Sequence, residues 1–167
     1  QISPGYGFAA IIVAFLGRLN PVGVLFAGLL AHWGHKGPAE IEPKRAWTFR
    51  QVQWLALRHG ITLQTPLQHP FNPIALLRLA LACAPAGEAP NRRVVEAVFR
   101  HVWCGSGADA NDPARVQALQ QLLAPQRDPQ SPKVKDELRE AGREAIERGF
   151  FGVPTIELEG SLFWGLD

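Results

Sequence analysis

The chain has 167 residues, of which 47% are hydrophobic and 19% are charged, and its formal net charge is +2 at pH 7. A chain of this length and apolar content can bury the core of one domain, which argues against intrinsic disorder, and its small charge gives no reason to expect nucleic acid as a partner. Its two cysteines, Cys83 and Cys104, show neither a C-x-x-C pair nor metal-ligand spacing, so the sequence predicts no metal site and two buried, reduced thiols in a cytoplasmic protein.

The first part of the chain is unusually apolar. Between residues 5 and 33 the only charged side chain is Arg18, and an Asn-Pro step follows it. The uncharged stretches on either side, residues 7–17 and 19–31, have 11 and 13 residues, whereas a membrane-spanning helix needs about 20. They predict a buried helix and a buried strand, and no membrane contact is expected for residues 35–167.

Five helices are predicted in a row from residue 44 to residue 148, because apolar residues recur there at helical spacing. Capping residues, in three cases followed directly by proline, mark the starts of the last four helices. These starts are Asn72-Pro73, Asn91, Asp112-Pro113 and Ser131-Pro132. The residues expected to face inward are Val52, Leu55, Ala56, His59, Ile74, Leu77, Leu81, Val94, Val95, Val98, Phe99, Val102, Val116, Leu119, Leu123, Val134, Leu138, Ala141 and Ala145.

The pattern changes to a period of two after the helices. Residues 155–158 and 162–164 are predicted strands, joined through Glu159-Gly160, a pair typical of a tight hairpin turn. The order of helix, strand, helical block and hairpin predicts an α/β core interrupted by an all-helical insertion. The predicted segments are 1–34 for the first part of the core, 35–149 for the insertion and 150–167 for the hairpin of the core.

A proline stands directly before the first strand of this hairpin. Pro154 is tolerated at the first position of a strand, where its missing N–H costs no ladder bond. A cis Val153-Pro154 bond would instead turn the backbone of Val153 toward an extended peptide ligand. The residues alone leave both interpretations open.

Three separated stretches carry a resemblance to a known family. They are HWGHKGPAEIEPKR, HPFNPIALLRLALA and ERGFFGVPTIELEGSLFWGLD. Over residues 24–167 the chain resembles the 2-hydroxychromene-2-carboxylate isomerase family, which is grouped with the kappa-class glutathione transferases and the DsbA-like branch of the thioredoxin superfamily. The resemblance implies an α/β fold with a thioredoxin-like core, incomplete at both ends and interrupted by a helical insertion, and it implies glutathione as the cofactor.

The resemblance also implies site residues. Val153 and Pro154 correspond to a cis-proline loop that pairs with the glutathione backbone, and Asp167 corresponds to the carboxylate that holds its γ-glutamyl amine. Asn72 and Trp164 are expected at the substrate site, although the sequence favours a helix-capping role for Asn72.

The catalytic serine implied by the resemblance has one candidate. The family places it in a D-F-x-S-P-[YF]-S-Y-L-A segment, and the nearest stretch here is ISPGYGFAA, which contains Ser3. At a helix N-terminus, Ser3 could hydrogen-bond a thiolate. The alternative, which the sequence favours, is that Ser3 only caps a helix, because two residues precede it and the first strand would be nearly absent.

Residues 1 to about 30 resemble a different class of protein. The run SPGYGFAAIIVAFLGRLNPVGVLFAGLL is similar to the C-terminal part of sugar-type or nucleoside-type ABC transporter permeases. We therefore consider the hypothesis that the chain is a junction, with permease-like sequence before about residue 24.

The expected function is that of a glutathione-dependent isomerase acting on an aromatic-derived acid, impaired if the serine segment is missing. The expected partner is this small-molecule aromatic acid, and the resemblance also allows a homodimer. Two alternatives stay open: a DsbA-like protein related to thiol-disulfide oxidoreductases but without redox cysteines, and a chimeric fragment that carries part of a membrane transporter.

Overall fold

Five helices followed by one hairpin form the part of the chain that the structure describes. The structure is a computed structural model and describes residues 41–69, 71–151 and 155–164. The helices are α1 Glu42–Arg58, α2 Ile74–Ala82, α3 Arg92–Trp103, α4 Pro113–Leu123 and α5 Pro132–Glu147, and the strands are β1 Thr155–Leu158 and β2 Ser161–Trp164. The predicted succession of helices and hairpin is confirmed, whereas the predicted segment 1–34 lies outside the described residues. No helix within these ranges is both long and apolar enough to cross a membrane.

Local capping fixes the starts of three helices at the predicted residues. The side chains of Asn91, Asp112 and Ser131 each accept a hydrogen bond from the backbone N–H three residues later, at 3.1, 2.9 and 3.4 Å. Such bonds satisfy N–H groups that have no partner inside the helix. At the end of α1, Gly60 has a φ of +65°, the left-handed conformation that terminates many helices.

Helix α2 is buried on nearly every side and lies between two apolar clusters. Its residues in the first cluster are Leu76, Leu79 and Ala80, and those in the second are Leu77, Leu81 and Ala82. Residues of α3 and α4 complete the first cluster, whereas Val134 and Leu138 of α5 complete the second. The helical block is therefore packed around α2.

Most of the residues predicted to face inward are buried. Those confirmed as buried are Val52, Ala56, Leu77, Leu81, Val94, Val98, Val102, Leu119, Leu123, Val134, Leu138 and Ala145. Those that are half-buried are Leu55, Ile74, Val95, Phe99, Val116 and Ala141. The prediction is wrong for His59, which is exposed because it caps the C-terminus of α1 rather than continuing its inner face.

A partly buried ion pair ties the end of α2 to α5. Arg127 Nη1 donates to Glu137 Oε2 at 2.5 Å, and the two side chains are 20% and 22% exposed. Arg127 Nη2 also donates to the Leu81 carbonyl oxygen at 2.6 Å, and the backbone N–H of Arg127 donates to the Ala82 carbonyl oxygen at 3.1 Å, so Arg127 bonds the last carbonyls of α2. The second oxygen of Glu137 accepts from the Gly87 N–H at 2.8 Å. Burial raises the pKa of Glu137, but the hydrogen bonds from Arg127 and Gly87 and the charge of Arg127 together outweigh burial and hold this pKa below its usual range.

The hairpin has the predicted first strand and turn, and its second strand begins at Ser161, one residue before the predicted start. Strands β1 and β2 are antiparallel, with Thr155 opposite Trp164 at one end and Leu158 opposite Ser161 at the other. Glu159 and Gly160 have φ values of +49° and +78°, as a two-residue type I′ turn requires.

We expect Glu137→Gln to lower the free energy of unfolding at pH 7 by about 2 kcal/mol, because it leaves the guanidinium of Arg127 partly buried without its counter-charge. The folded pKa of Glu137 lies below the unfolded value of about 4.3, so the contribution is complete above that value and is lost as the pH falls through the folded pKa. Urea denaturation measures the free energy of unfolding of Glu137→Gln and of the parent chain. The difference between the two should therefore be smaller at pH 3 than at pH 7.

The control for this prediction is Asp136→Asn, which breaks the exposed pair with Arg139 on the same helix. Exposed pairs contribute little, so this variant should lose less than about 0.5 kcal/mol. Equal losses in the two variants, or a Glu137→Gln loss that does not change with pH, would contradict the role given to the ion pair.

Candidate functional site

The predicted site residues fall at the hairpin, at the start of α2 and beyond the described ranges. Four lie outside the described residues: Ser3, Val153, Pro154 and Asp167. Trp164 is the last residue of β2, and its side chain also lies outside the described part. Asn72 is described, and it stands just before α2.

The register of the hairpin relates two of the predicted site segments. Thr155 and Trp164 are opposite each other at the open end of the hairpin, and opposed residues of an antiparallel pair have Cα atoms about 4.5 to 5.5 Å apart. The chain therefore enters β1 from residue 154 and leaves β2 toward residue 165 at neighbouring positions. In the sequence the proline step directly precedes β1 and Asp167 follows β2, and both lie outside the described residues.

Asn72 has the capping role that the sequence favours. Its Oδ1 accepts from the Ile74 N–H at 3.0 Å, and its carbonyl oxygen accepts from Asn111 Nδ2 at 3.0 Å. The predicted start of α2 is wrong by one residue: Pro73 precedes the helix instead of opening it, because Asn72 bonds across Pro73 to the next N–H. The side-chain nitrogen of Asn72 has no hydrogen bond to a described residue.

A groove of about 520 Å³ lies between α2 and α4 and begins at Asn72. Its lining residues are Asn72, Ile74, Ala75, Arg78, Asn111, Pro113, Val116, Gln117 and Gln120. Within this lining, Arg78 has the one charged side chain. Its Nε is buried and makes no hydrogen bond, and the guanidinium makes no ion pair with any residue of the described ranges. An arginine in this state can bind a carboxylate through parallel N–H donors.

Sequence reasoning missed Arg78 as a site residue. A signal was present, because Arg78 is the single charged residue in IALLRLALA, the sequence of α2. A charge within a buried apolar helix needs a partner or a route to solvent.

A second groove, of about 640 Å³, lies between α3 and α4, and two of its arginines bond backbone carbonyl groups of the fold. Arg115 donates to the carbonyl oxygens of His101 and Asp109, both at 2.5 Å. Arg93 Nη2 donates to the Leu122 carbonyl oxygen at 3.1 Å.

Two described histidines, His69 and His101, are packed within the fold, whereas His59 is exposed. His101 Nε2 lies 2.8 Å from the Ala110 carbonyl oxygen, which can only accept, so Nε2 carries a proton. Burial, reinforced by nearby Arg115, lowers the pKa of His101 despite the opposing effect of this hydrogen bond. His69 lies among aromatic rings, 5.0 Å from Phe49 and 5.7 Å from Trp103 between centroids. Across the described ranges, no group of three or more histidine, cysteine or acidic residues could hold a metal ion.

The cysteines differ from the prediction in burial. Both are free of disulfide bonds, but Cys83 is half-buried and Cys104 is exposed. Cys104 is exposed because it follows the last residue of α3, after the apolar face of the helix has ended. Burial raises the pKa of the Cys83 thiol, although Arg93 acts in the opposite direction. Each cysteine caps the C-terminus of its helix.

Comparison with protein families decides the affiliation of the chain. The family model of the DSBA-like thioredoxin domain matches residues 24–167. The chain belongs to this family. The resemblance predicted from three short stretches is thereby confirmed for the DsbA-like family over the same residues, and so is the thioredoxin-like α/β fold.

A solved structure of selenomethionine-labelled 2-hydroxychromene-2-carboxylate isomerase has a similar fold. The TM-score is 0.61, the sequence identity is 22%, and the similarity covers 96% of this chain and 84% of that one. At this identity the likeness shows the fold alone. No curated protein gives a significant match. Neither finding supports the transporter-like interpretation of residues 1–30, which stays a hypothesis.

We expect Gly105→Ala to lower the free energy of unfolding by about 1 to 3 kcal/mol, because the added methyl group overpacks a filled site. A Cβ at this position would overlap Arg115 Nη2 and lie 2.8 Å from the His101 carbonyl oxygen. Thermal or urea denaturation measures the loss.

Gly142→Ala is the matched control. No atom lies within 4 Å of the corresponding Cβ position in α5, so the better helix propensity of alanine should stabilise the chain by roughly 0.5 to 1 kcal/mol. If Gly105→Ala were stabilised as Gly142→Ala is, the prediction that Arg115 fills the space beside Gly105 would be wrong.

Proposed function

We propose that the chain is a glutathione-dependent isomerase of a small aromatic-derived carboxylic acid, of the hydroxychromene carboxylate or benzylidenepyruvate type. The observation that carries the proposal is the DsbA-like family match over residues 24–167, combined with a fold shared with a 2-hydroxychromene-2-carboxylate isomerase. The proposal includes the predicted cytoplasmic location and the homodimer.

The positions of the cysteines favour an isomerase over thiol-disulfide exchange. A redox thiol is activated at a helix N-terminus, where the dipole stabilises the thiolate. Cys83 and Cys104 lie instead at helix C-termini. An isomerase that uses the thiol of glutathione needs no cysteine of its own.

The hairpin supports glutathione as the cofactor. Among the described residues, β1 has a strand neighbour on one side only, and an extended peptide can pair along the open side of such a strand. The Val153-Pro154 step precedes β1, and Asp167 follows β2 by three residues. A short peptide with a free amine suits a backbone segment that can pair with it and a carboxylate that can hold the amine.

Each predicted residue has a part in the proposed chemistry. When bound, glutathione would supply a thiolate nucleophile for reversible addition to the conjugated double bond of the substrate. Ser3 would hold the thiolate by donating a hydrogen bond, the Val153-Pro154 backbone would hold the peptide, and Asp167 would pair with its amine. Asn72 and Trp164 would contact the substrate. Without the Ser3 donor, roughly 2 to 4 kcal/mol of transition-state stabilisation is lost.

We expect glutathione to bind the full chain and to bind Asp167→Ala about tenfold or more weakly, because a charge-assisted pair with the amine is lost. Isothermal titration calorimetry measures both affinities. Asp136→Ala is the control, since this exposed carboxylate on α5 pairs only with Arg139 among the described residues and should leave the affinity unchanged. Failure of glutathione to bind the parent chain would overturn the proposal.

A turnover assay tests the chemistry separately. The conversion of 2-hydroxychromene-2-carboxylate is followed by its absorbance. The chain should increase the rate of this conversion only when glutathione is present. Ser3→Ala should reduce kcat by about tenfold or more while glutathione still binds. Equal rates with and without glutathione would exclude the proposed mechanism even if the peptide binds.

A further inference from the structure

We propose that the groove between α2 and α4 binds a small aromatic carboxylate, and that Arg78 recognises its carboxylate group. The identity of this ligand as the substrate rests on the proposed function. The binding itself rests on the groove and is testable without glutathione.

The state of Arg78 is the first argument. Its side chain is half-buried, and its Nε is fully buried without a hydrogen bond. No carboxylate of the described residues lies within ion-pair distance of it. Arginine is rarely buried without a partner, because withdrawing a charged donor from water is costly. A ligand carboxylate beside the guanidinium would supply the missing counter-charge.

The electrostatics of the groove favour an anion. No acidic side chain lines it, and the nearby carboxylate of Asp112 already accepts a bond from the Arg115 N–H at 2.9 Å. Ile74, the first residue of α2, lines the groove, so the positive end of this helix dipole acts in the same direction as the guanidinium, whereas the positive end of α4 is already capped by the Asp112 carboxylate. The unbonded side-chain nitrogen of Asn72 offers a further donor.

The remaining lining indicates the rest of the ligand. Ile74, Ala75, Pro113 and Val116 provide apolar surface beside Arg78. A volume of about 520 Å³ is within the range of roughly 300 to 1,000 Å³ typical of small-molecule sites. A guanidinium beside apolar walls suits a planar carboxylate on an aromatic body better than an inorganic anion, which would leave those walls uncovered.

The experiment titrates the full chain with cinnamate and with cinnamamide, its uncharged analogue, by isothermal titration calorimetry without glutathione. Cinnamate should bind, and cinnamamide should bind at least about tenfold more weakly. In Arg78→Gln the cinnamate affinity should fall by about tenfold to a hundredfold, as expected for a charge-assisted hydrogen bond. Arg100→Gln, which removes an exposed arginine from the other groove, should bind cinnamate like the parent chain.

Two further measurements separate recognition from a structural role. The melting temperature of ligand-free Arg78→Gln should equal or exceed that of the parent chain, because no described interaction is lost, and cinnamate should no longer raise it. If Arg78→Gln does not fold, the parent chain is instead modified with phenylglyoxal, which reacts with arginine, and the modified residues are located by peptide mapping. Cinnamate should protect Arg78, but not Arg100, from this modification.

Equal affinity for the acid and the amide, unchanged affinity in Arg78→Gln, or no protection of Arg78 would overturn this inference. Each result would mean that Arg78 only extends its guanidinium into water. Glutathione binding without cinnamate binding would remove this inference and leave the proposed function. Cinnamate binding at Arg78 without glutathione binding would remove the proposed function and leave the groove.

Discussion

The burial of α2 is the constraint on which the described helical block depends. This nine-residue helix contributes to both apolar clusters, with different residues toward α3 and α4 than toward α5. A helix buried in this way cannot leave its terminal N–H and carbonyl groups to water, so each end needs a partner from elsewhere in the chain. Asn72 bonds the first N–H, and Arg127 bonds the last carbonyls.

Two arginines beside α2 show how the same side chain serves different purposes. The Arg127 guanidinium has the Glu137 carboxylate and the Leu81 carbonyl oxygen as acceptors for its two terminal nitrogens, so its charge is compensated within the fold although its Nε is buried without a hydrogen bond. Arg78 comes from α2 itself and has no such compensation among the described residues. Since both guanidinium groups are partly withdrawn from water, the contrast in their acceptors separates a structural arginine from a candidate binding residue.

Local features of the structure were predictable from the sequence, and long-range features were not. Asn91, Asp112 and Ser131 were recognised as helix caps because each bonds a residue three positions away, and Glu159-Gly160 was recognised because its turn depends on two backbone φ angles. The contact of Arg127 with Leu81 spans 46 positions, which no local pattern encodes. The unpaired state of Arg78 likewise depends on residues brought together from α2 and α4. The exposure of Cys104 was missed because apolar periodicity does not tell where a helix ends.

The exposed thiol of Cys104 has a practical consequence. Cys83, the other cysteine of the chain, is half-buried with a raised thiol pKa, and thiolate character and access govern how fast a cysteine reacts. A maleimide dye would therefore attach first at Cys104. This residue lines the groove between α3 and α4, which is separate from the groove that Arg78 lines. The natural sequence thus carries its own fluorescence attachment point, from which movements of α4 could be followed without introducing a new cysteine.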